Sequence, residues 1–176
     1  MTDQVENNQE AAAEGQQAAP QFAVQRVYVK DISFEAPNLP ELFNVEFKPQ
    51  VKMEMNSKSR LVADNNFEVV LSVTLSAEVE EKTAFLAEVQ QAGIFFIKDF
   101  NEQQTHQLLG AAAPEALYPY VREAIANLIG RTGFPAIQLT PVNFMGLYME
   151  RMQRAQAEAQ QQAEAQGENA GSETVQ

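Results

Sequence analysis

Two adjacent segments in the middle of the chain carry the strongest alternation of apolar and polar residues. In residues 67–79 every odd position is apolar, whereas most even positions are polar. This period of two is typical of an antiparallel strand with one buried face. Residues 83–97 are instead apolar on both faces. We therefore expect a cover on each face of that strand, from a helix layer, another subunit or a captured ligand.

Two further segments predict strands of the same sheet. Residues 22–29 indicate a first strand, which the prolines at 37 and 40 prevent from continuing because proline lacks a ladder donor. Residues 51–56 alternate and predict a short second strand. The connection at residues 80–82 is so short that the third and fourth strands must form an antiparallel hairpin.

The spacing of apolar residues becomes helical after residue 97. A short helix is predicted at 101–109, ending at Gly110, and a longer helix runs from Pro114 to Gly130. A last helix is predicted from about Val142. Strands followed by helices indicate an α+β fold, in which helices pack on one face of a four-stranded antiparallel sheet.

The two ends of the chain differ in composition from the middle. Residues 1–20 contain four acidic residues but no basic or aromatic one, and residues 153–176 are similarly rich in Ala, Gln and Glu. Such segments bury too little apolar surface to offset the entropy of ordering them. We expect a disordered acidic N-terminal tail at 1–20, one domain at 21–152 and an acidic low-complexity C-terminal tail at 153–176.

The charge balance narrows the possible partners. The chain has 12 Lys and Arg against 24 Asp and Glu, a formal net charge of −12. This charge repels phosphate backbones and anionic membranes, so nucleic-acid binding is not expected and basic partners are favoured. There is no cysteine, the N-terminus does not resemble a signal peptide, and no apolar run reaches the roughly 20 residues of a membrane span. We expect a cytoplasmic protein without direct membrane insertion.

Residues that carry catalysis or bind metals are scarce. His106 is the single histidine, and no Ser or Asp is spaced with it as in a catalytic triad. One His without Cys makes a zinc site improbable, and the acidic pair Glu80 and Glu81 occupies a predicted hairpin tip, where charges are solvated. Motifs that bind nucleotide phosphates are absent. The sequence therefore predicts no catalytic residue, no metal and no cofactor, and an enzyme based on a carboxylate pair is the least favoured hypothesis.

Aromatic residues give the positive signal. The chain has eleven Phe and four Tyr, and Phe43 and Phe47 fall in the irregular stretch after the two prolines. An ordered loop that carries aromatic side chains forms one wall of a groove beside a sheet edge. Such a groove is a general site for an extended peptide, because the edge offers main-chain hydrogen bonds and the pockets accept side chains.

Four blocks of sequence, in the same order, resemble a known family. The chain strongly resembles the SecB protein-export chaperones in KDISFEAPN (30–38), EVQQAGIF (88–95), LGAAAPEALYPYVREAI (109–125) and GFPAIQLTPVNF (133–144). The resemblance implies a homotetramer, a dimer of dimers. It also implies an ATP-independent chaperone that binds unfolded preproteins and delivers them to the SecA motor. A generalist or antitoxin-linked holdase of the same fold is the alternative.

The resemblance also implies roles for individual residues. The SecA-docking face would contain Asp31, Glu35, Leu86 and Glu88. The opposite face of the fourth strand would supply the tetramer contacts, Ala87, Val89 and Gln91. The substrate groove would be lined by aromatic residues, namely Phe47, Phe85, Phe95, Phe144 and Tyr148.

Overall fold

The computed structural model describes residues 19–171 of the chain, and the side chains of residues 19–161. Most of the predicted N-terminal tail lies outside these described residues. The elements follow in the order β1 (Gln21–Glu35), a 3-10 turn (Glu41–Asn44), β2 (Gln50–Ala63), β3 (Asn66–Val79), β4 (Lys82–Lys98), α1 (Glu102–Gln107), a π-helical turn (Leu108–Ala112), α2 (Ala113–Gly130) and α3 (Phe144–Gly171).

The four strands form one antiparallel sheet in the order β1-β4-β3-β2. The predicted hairpin between β3 and β4 is confirmed, and these two strands occupy the centre of the sheet. Glu80 and Glu81, which connect them, have φ angles of +48° and +62°. Two successive left-handed residues match the twist of a two-residue hairpin, so the tight connection suits the strands that it joins.

The central strands separate the sheet into two different faces. The odd-numbered residues of β3 and β4 lie on the face that α2 packs against, which we call the helix side; they include Leu71, Val73 and Val89, which are almost fully buried. The even-numbered residues lie on the other side, which we call the open face, and most are only partly buried. The predicted α+β fold with helices on one face is confirmed.

Two β-bulges shift the alternation within β1. The pairing with β4 skips Gln25 and then Lys30, so the residues directed to the helix side change from even to odd and back to even. They are Phe22, Val24, Val27, Val29, Ile32 and Phe34. A bulge inserts one unpaired residue and re-aims the side chains beyond it. The bulge at Lys30 therefore places Asp31, Ser33 and Glu35 on the open face.

The prediction for the second strand was wrong in length. β2 extends over Gln50–Ala63 and pairs with β3 along its whole length, although a strand was predicted only over residues 51–56. The additional part begins with the polar residues 57–60 and is mostly exposed, because β2 is an edge strand. Main-chain hydrogen bonds to a buried neighbour hold such a segment without a hydrophobic signal of its own.

The prediction that a helix ends at Gly110 was also wrong. The chain continues through the π-helical turn Leu108–Ala112 directly into α2. A Cβ atom at Gly110 would lie 2.6 Å from Cδ2 of Tyr148, so the glycine permits close packing of α3 instead of ending a helix. α3 extends to Gly171 and includes much of the segment that was predicted as a C-terminal tail. Among the helices of the described residues, none has both the length and the hydropathy of a membrane span.

Candidate binding groove and open sheet face

A cluster of phenylalanines joins the loop after β1 to the helix side of the sheet. Phe134 contacts three rings of this cluster, with centroid distances of 5.0 Å to Phe47 and 5.6 Å to both Phe43 and Phe85. Phe34 stacks on Phe85 at 5.6 Å. Phe85 is fully buried, whereas Phe43 is 52% exposed. The aromatic cluster, as we call these five rings, therefore extends from the core to the surface.

A groove of about 370 Å³ lies between the edge strand β2 and the first turns of α3. Its lining is mostly apolar and includes Met53, Met55, Leu71, Val142, Phe144, Leu147 and Tyr148, with Arg151 at the side. A smaller hollow of about 160 Å³ shares Ser57, Gly110, Tyr148 and Arg151 with the groove and adds His106 and Met152. Together they form a continuous depression along β2.

The wall that α3 contributes is held by specific contacts. The Tyr148 ring lies against Gly110, and its hydroxyl is 2.8 Å from Nδ1 of His106. Phe144 packs edge-on against Tyr118 with a centroid distance of 5.4 Å. The Tyr118 hydroxyl donates a hydrogen bond to the carbonyl oxygen of Thr140 at 2.6 Å, and burial raises the pKa of Tyr118. These contacts fix α3 beside the groove, and they give His106 a structural partner.

The structure does not bring the five predicted groove residues together. Phe47 and Phe85 belong to the aromatic cluster, whereas Phe144 and Tyr148 line the groove. Phe95 is fully buried and stacks on Phe22 at 5.7 Å near the other end of the sheet. Because Phe85 and Phe95 have no exposed surface in the chain, contact of either ring with a substrate stays a prediction.

Sequence reasoning did not identify several residues that line the groove. Met53 and Met55 were assigned to a strand, but not to a binding surface, although their phase places them on the helix side opposite Leu75 and Val73. The signal was present in the alternation of residues 51–55. Leu147 and Arg151 were missed because α3 approaches the sheet through long-range packing that its own sequence does not specify.

The four predicted docking residues lie on the open face, near one end of it. Glu35 pairs with Leu86, and Glu88 lies beside Ser33 on one side and Thr74 on the other. Asp31 pairs with Gln90, whose Nε2 donates a hydrogen bond to Glu88 at 3.0 Å. Glu54 on β2 faces the same side, opposite Thr74. We call the four carboxylates the acidic zone: Asp31, Glu35, Glu54 and Glu88.

The other end of the open face carries a buried carboxylate surrounded by cations. The Glu68 side chain is 4% exposed and accepts hydrogen bonds from the Tyr28 hydroxyl, from Lys30 Nζ at 3.1 Å and from Arg60 Nε at 2.6 Å. Tyr28 and Lys30 come from β1, whereas Arg60 comes from β2. The carboxylate on β3 thus connects both edge strands. We call the four cations at this end the basic zone: Arg26, Lys30, Lys58 and Arg60.

These donors also determine the protonation of the group. The hydrogen bond from Tyr28, followed by that from Arg60, lowers the pKa of Glu68 to about 2, because both stabilise the charged form more than burial destabilises it. The same hydrogen bond raises the pKa of the Tyr28 hydroxyl. Glu68 is therefore a carboxylate at neutral pH.

The three residues predicted at subunit contacts are buried by their own chain. Ala87 and Val89 are fully buried, and Gln91 is 3% exposed, on the helix side of β4. A single chain does not test a role in the tetramer, so that role stays a prediction. Among the described residues, no three Asp, Glu or His side chains converge as a metal site.

Comparisons with known proteins agree on one family. The family model "SecB: Preprotein translocase subunit SecB" matches residues 15–155. A Protein-export protein SecB of Marinobacter nauticus is 47% identical over 152 residues, which cover 86% of this chain and 92% of the relative. The Protein-export protein SecB of Alkalilimnicola ehrlichii is 48% identical over 161 residues, which cover 92% and 85%.

A solved structure supports the fold independently. A SecB-like chaperone of Mycobacterium tuberculosis, solved in complex with a peptide from the HigA1 antitoxin, matches with a TM-score of 0.58 at 18% identity and covers 69% of this chain and 90% of that one. At this identity the likeness shows the fold alone. The family model and relatives that are almost half identical over most of both chains carry the assignment, and they confirm the resemblance found in the sequence: the chain belongs to the SecB family of protein-export chaperones.

Proposed function

We propose that this protein holds unfolded preproteins in the groove along β2, without ATP, cofactor or catalytic step, and delivers them to the SecA motor. The observation that carries the proposal is an apolar groove of about 370 Å³ beside a strand that pairs on only one side within the described chain. An extended polypeptide bound there adds main-chain hydrogen bonds to the edge and places side chains in the groove.

The side chains around the groove suit many different clients. Met53, Leu147 and Met152 are 40%, 39% and 37% exposed. Methionine is unbranched and polarizable, so it adapts to apolar partners of different shape. Exposed apolar segments are present in unfolded chains and absent from folded ones. The groove therefore recognises that a client is unfolded, and it recognises particular client sequences to a lesser degree.

Assembly as a dimer of dimers accounts for a second exposed apolar surface. On the helix side of β1, Val24, Val29 and Ile32 are 45%, 51% and 43% exposed, which is unusual for a row of apolar residues on an edge strand. A second copy buries them in the proposed homotetramer. Their neighbours on the same side of β4, namely Ala87, Val89 and Gln91, are the proposed tetramer contacts beside this row.

The acidic zone is the proposed docking site for the motor. Four carboxylates on one end of an otherwise polar face attract a basic partner and accelerate its encounter. Leu86 lies between them and adds an apolar contact. The proposed cytoplasmic location follows from this partnership, because clients are held before export.

Two measurements test the proposal separately. With stoichiometric chaperone we expect suppression of the aggregation of a reduced, unfolded preprotein, measured by light scattering. By calorimetry, Asp31→Lys and Glu88→Lys should weaken motor binding at least about tenfold, while Glu123→Lys, an exposed change on α2, should leave it unchanged. Failure of the wild-type protein to protect clients overturns the chaperone role. Failure of the wild type to bind the motor overturns the delivery role.

The comparisons favour the export role over the antitoxin-linked alternative. The relatives that are 47% and 48% identical are export proteins, whereas the antitoxin-bound chaperone shares only 18% of its residues with this chain. Binding experiments with export clients and with an antitoxin peptide distinguish the two roles. We expect export clients to compete with each other for the groove, and an antitoxin peptide to bind no more tightly than any other unfolded segment.

A further inference from the structure

The basic zone contrasts with the charge of the rest of the chain. Acidic residues outnumber basic ones two to one overall, yet four of the twelve cations are gathered on one end of the open face. In the strand register Asp31 is the acidic residue that borders the basic zone, and Gln90, Ser72 and Asn56 continue its row as an uncharged strip across the other three strands. The open face thus carries four carboxylates towards one end, where Lys52 is ion-paired with Glu78, and four cations towards the other.

Two of the four cations are available to a partner. Glu68 neutralises one charge and engages Lys30 and Arg60. Arg26 and Lys58 are exposed and form no ion pair within the described residues. They lie on opposite edge strands, β1 and β2, and flank the centre of the zone.

Apolar side chains lie beside Glu68 at the centre of the basic zone. Lys58 pairs with Val70, which pairs with Ala92, and Arg26 pairs with Ile94. Val70 and Ile94 are partly buried but keep accessible surface. Apolar surface within a charged rim is the usual anatomy of a protein interface, in which desolvated contacts give affinity and charges give orientation.

We infer that the open face is a two-zone docking surface, on which the partner that places a basic region on the acidic zone also places an acidic segment with apolar side chains on the basic zone. The inference rests on the proposed function, because it assigns this partner as the SecA motor. Complementarity at two zones fixes orientation, which attraction to a single acidic patch does not. Glu68 keeps Lys30 and Arg60 in fixed positions, and Arg26 and Lys58 contact the acidic segment.

Charge reversal tests the inference, because the two-zone surface and a surface that binds only a basic region predict opposite changes in motor affinity. The double variant Arg26→Glu/Lys58→Glu should bind the motor about tenfold more weakly than the wild type in calorimetry at low salt. If the partner offered only a basic surface, two additional carboxylates would tighten binding instead. The control Arg131→Glu places one such charge reversal directly after α2, in the helix layer, and should have no effect.

The remaining measurements show that the variants are intact and separate the possible failures. Urea unfolding and client protection should match the wild type, because neither side chain lines the groove. The conservative Arg26→Lys variant should retain motor binding. Unchanged or tighter binding of the double variant, with Asp31→Lys still disruptive, overturns the two-zone inference alone. Absence of motor binding by the wild type overturns the proposed delivery role and this inference with it.

Discussion

The two faces of the sheet are built from the same two central strands but differ in what covers them. On the helix side, residues such as Leu75 and Val89 are sealed by helices of the same chain. On the open face, the intervening residues Thr74 and Glu88 keep accessible surface. The helix side therefore supplies most of the hydrophobic stabilisation, whereas the open face presents charge to a partner.

Each face departs from this pattern beside the edge strands. The helix side remains open along β2, where the groove lies, and the open face buries the Glu68 carboxylate that connects β1 and β2. Beside the edge strands the helix side is therefore accessible and the open face contains a buried group, which is the reverse of the arrangement on the central strands. The following changes test this contrast, in order of decreasing effect on stability.

A charge on the helix side should have the largest effect. Val89→Lys places an unpaired ammonium in a fully buried site, which should cost about 3–5 kcal/mol of unfolding free energy. Gln90→Lys makes the same change at the next residue, on the open face, and should stay within about 0.5 kcal/mol. Urea unfolding gives both values. A normally stable Val89→Lys protein that forms only dimers would identify residue 89 as a subunit contact instead of a core residue.

Loss of the buried carboxylate should have the next largest effect. The folded pKa of Glu68, about 2, lies below its ordinary value of 4.5, so its contribution is complete above about pH 4.5 and is lost as the pH falls towards 2. Glu68→Gln should cost on the order of 2 kcal/mol at pH 7, less than full linkage gives because Lys30 and Arg60 are partly solvated. Unfolding curves of both proteins between pH 7 and 3 should converge. A constant difference would contradict the assigned pKa.

A methyl group beneath α3 should have a smaller effect. Gly110→Ala places Cβ 2.6 Å from the Tyr148 ring; relief of the clash costs about 1–3 kcal/mol, and the better helix propensity of Ala restores roughly 1 kcal/mol. We expect a net loss of about 1 kcal/mol and weaker client binding, because α3 must move. Gly130→Ala, where nothing lies within 4 Å, is the control and should not destabilise the protein. Unchanged client binding by the Gly110 variant would show that client binding does not depend on the position of α3.

Removal of an exposed ring should affect binding and leave stability almost unchanged. Phe43 is 52% exposed at the surface end of the aromatic cluster, on the loop that the sequence predicts to form a groove wall for clients. Phe43→Ser should therefore change the unfolding free energy by no more than about 1 kcal/mol but lower client affinity about tenfold. Tyr120→Ser removes a ring that is 46% exposed on α2 and should leave affinity unchanged. Titration with an unfolded client measures the affinity of both variants, and urea unfolding measures their stability. Equal effects of the two variants would show that the loop does not contact clients.

The sequence predicted the centre of the molecule better than its edges. The alternation in β3 and the apolar run in β4 identified the central hairpin, because buried strands carry a hydrophobic period. The length of β2 was missed because an exposed edge strand lacks that period. The apolar residues of β1 shift from 22 and 24 to 27 and 29 and then to 32 and 34, which in retrospect marks both bulges.

The candidate sites depended more on tertiary packing. The docking residues Asp31 and Glu35 were named through family resemblance, because simple alternation across a bulge assigns the wrong face. Glu68 gave no sign of burial, since it stands in a polar phase and its donors come from two distant strands. The groove residues of α3 were only partly identified, because the position of that helix depends on Gly110.

The bulge at Lys30 allows odd-numbered residues before it and even-numbered residues after it to face the same side of the sheet. If Lys30 instead took a regular pairing position, simple alternation from Val29 onwards would exchange the two surfaces beyond it: Asp31, Ser33 and Glu35 would turn into the protein interior, while Ile32 and Phe34 would turn towards water. A one-residue slip in the pairing of this half of β1, without any change in sequence, would thus abolish both the recognition surface and the core beneath it. The pairing register of this strand is consequently a more stringent requirement than the identity of most of its residues.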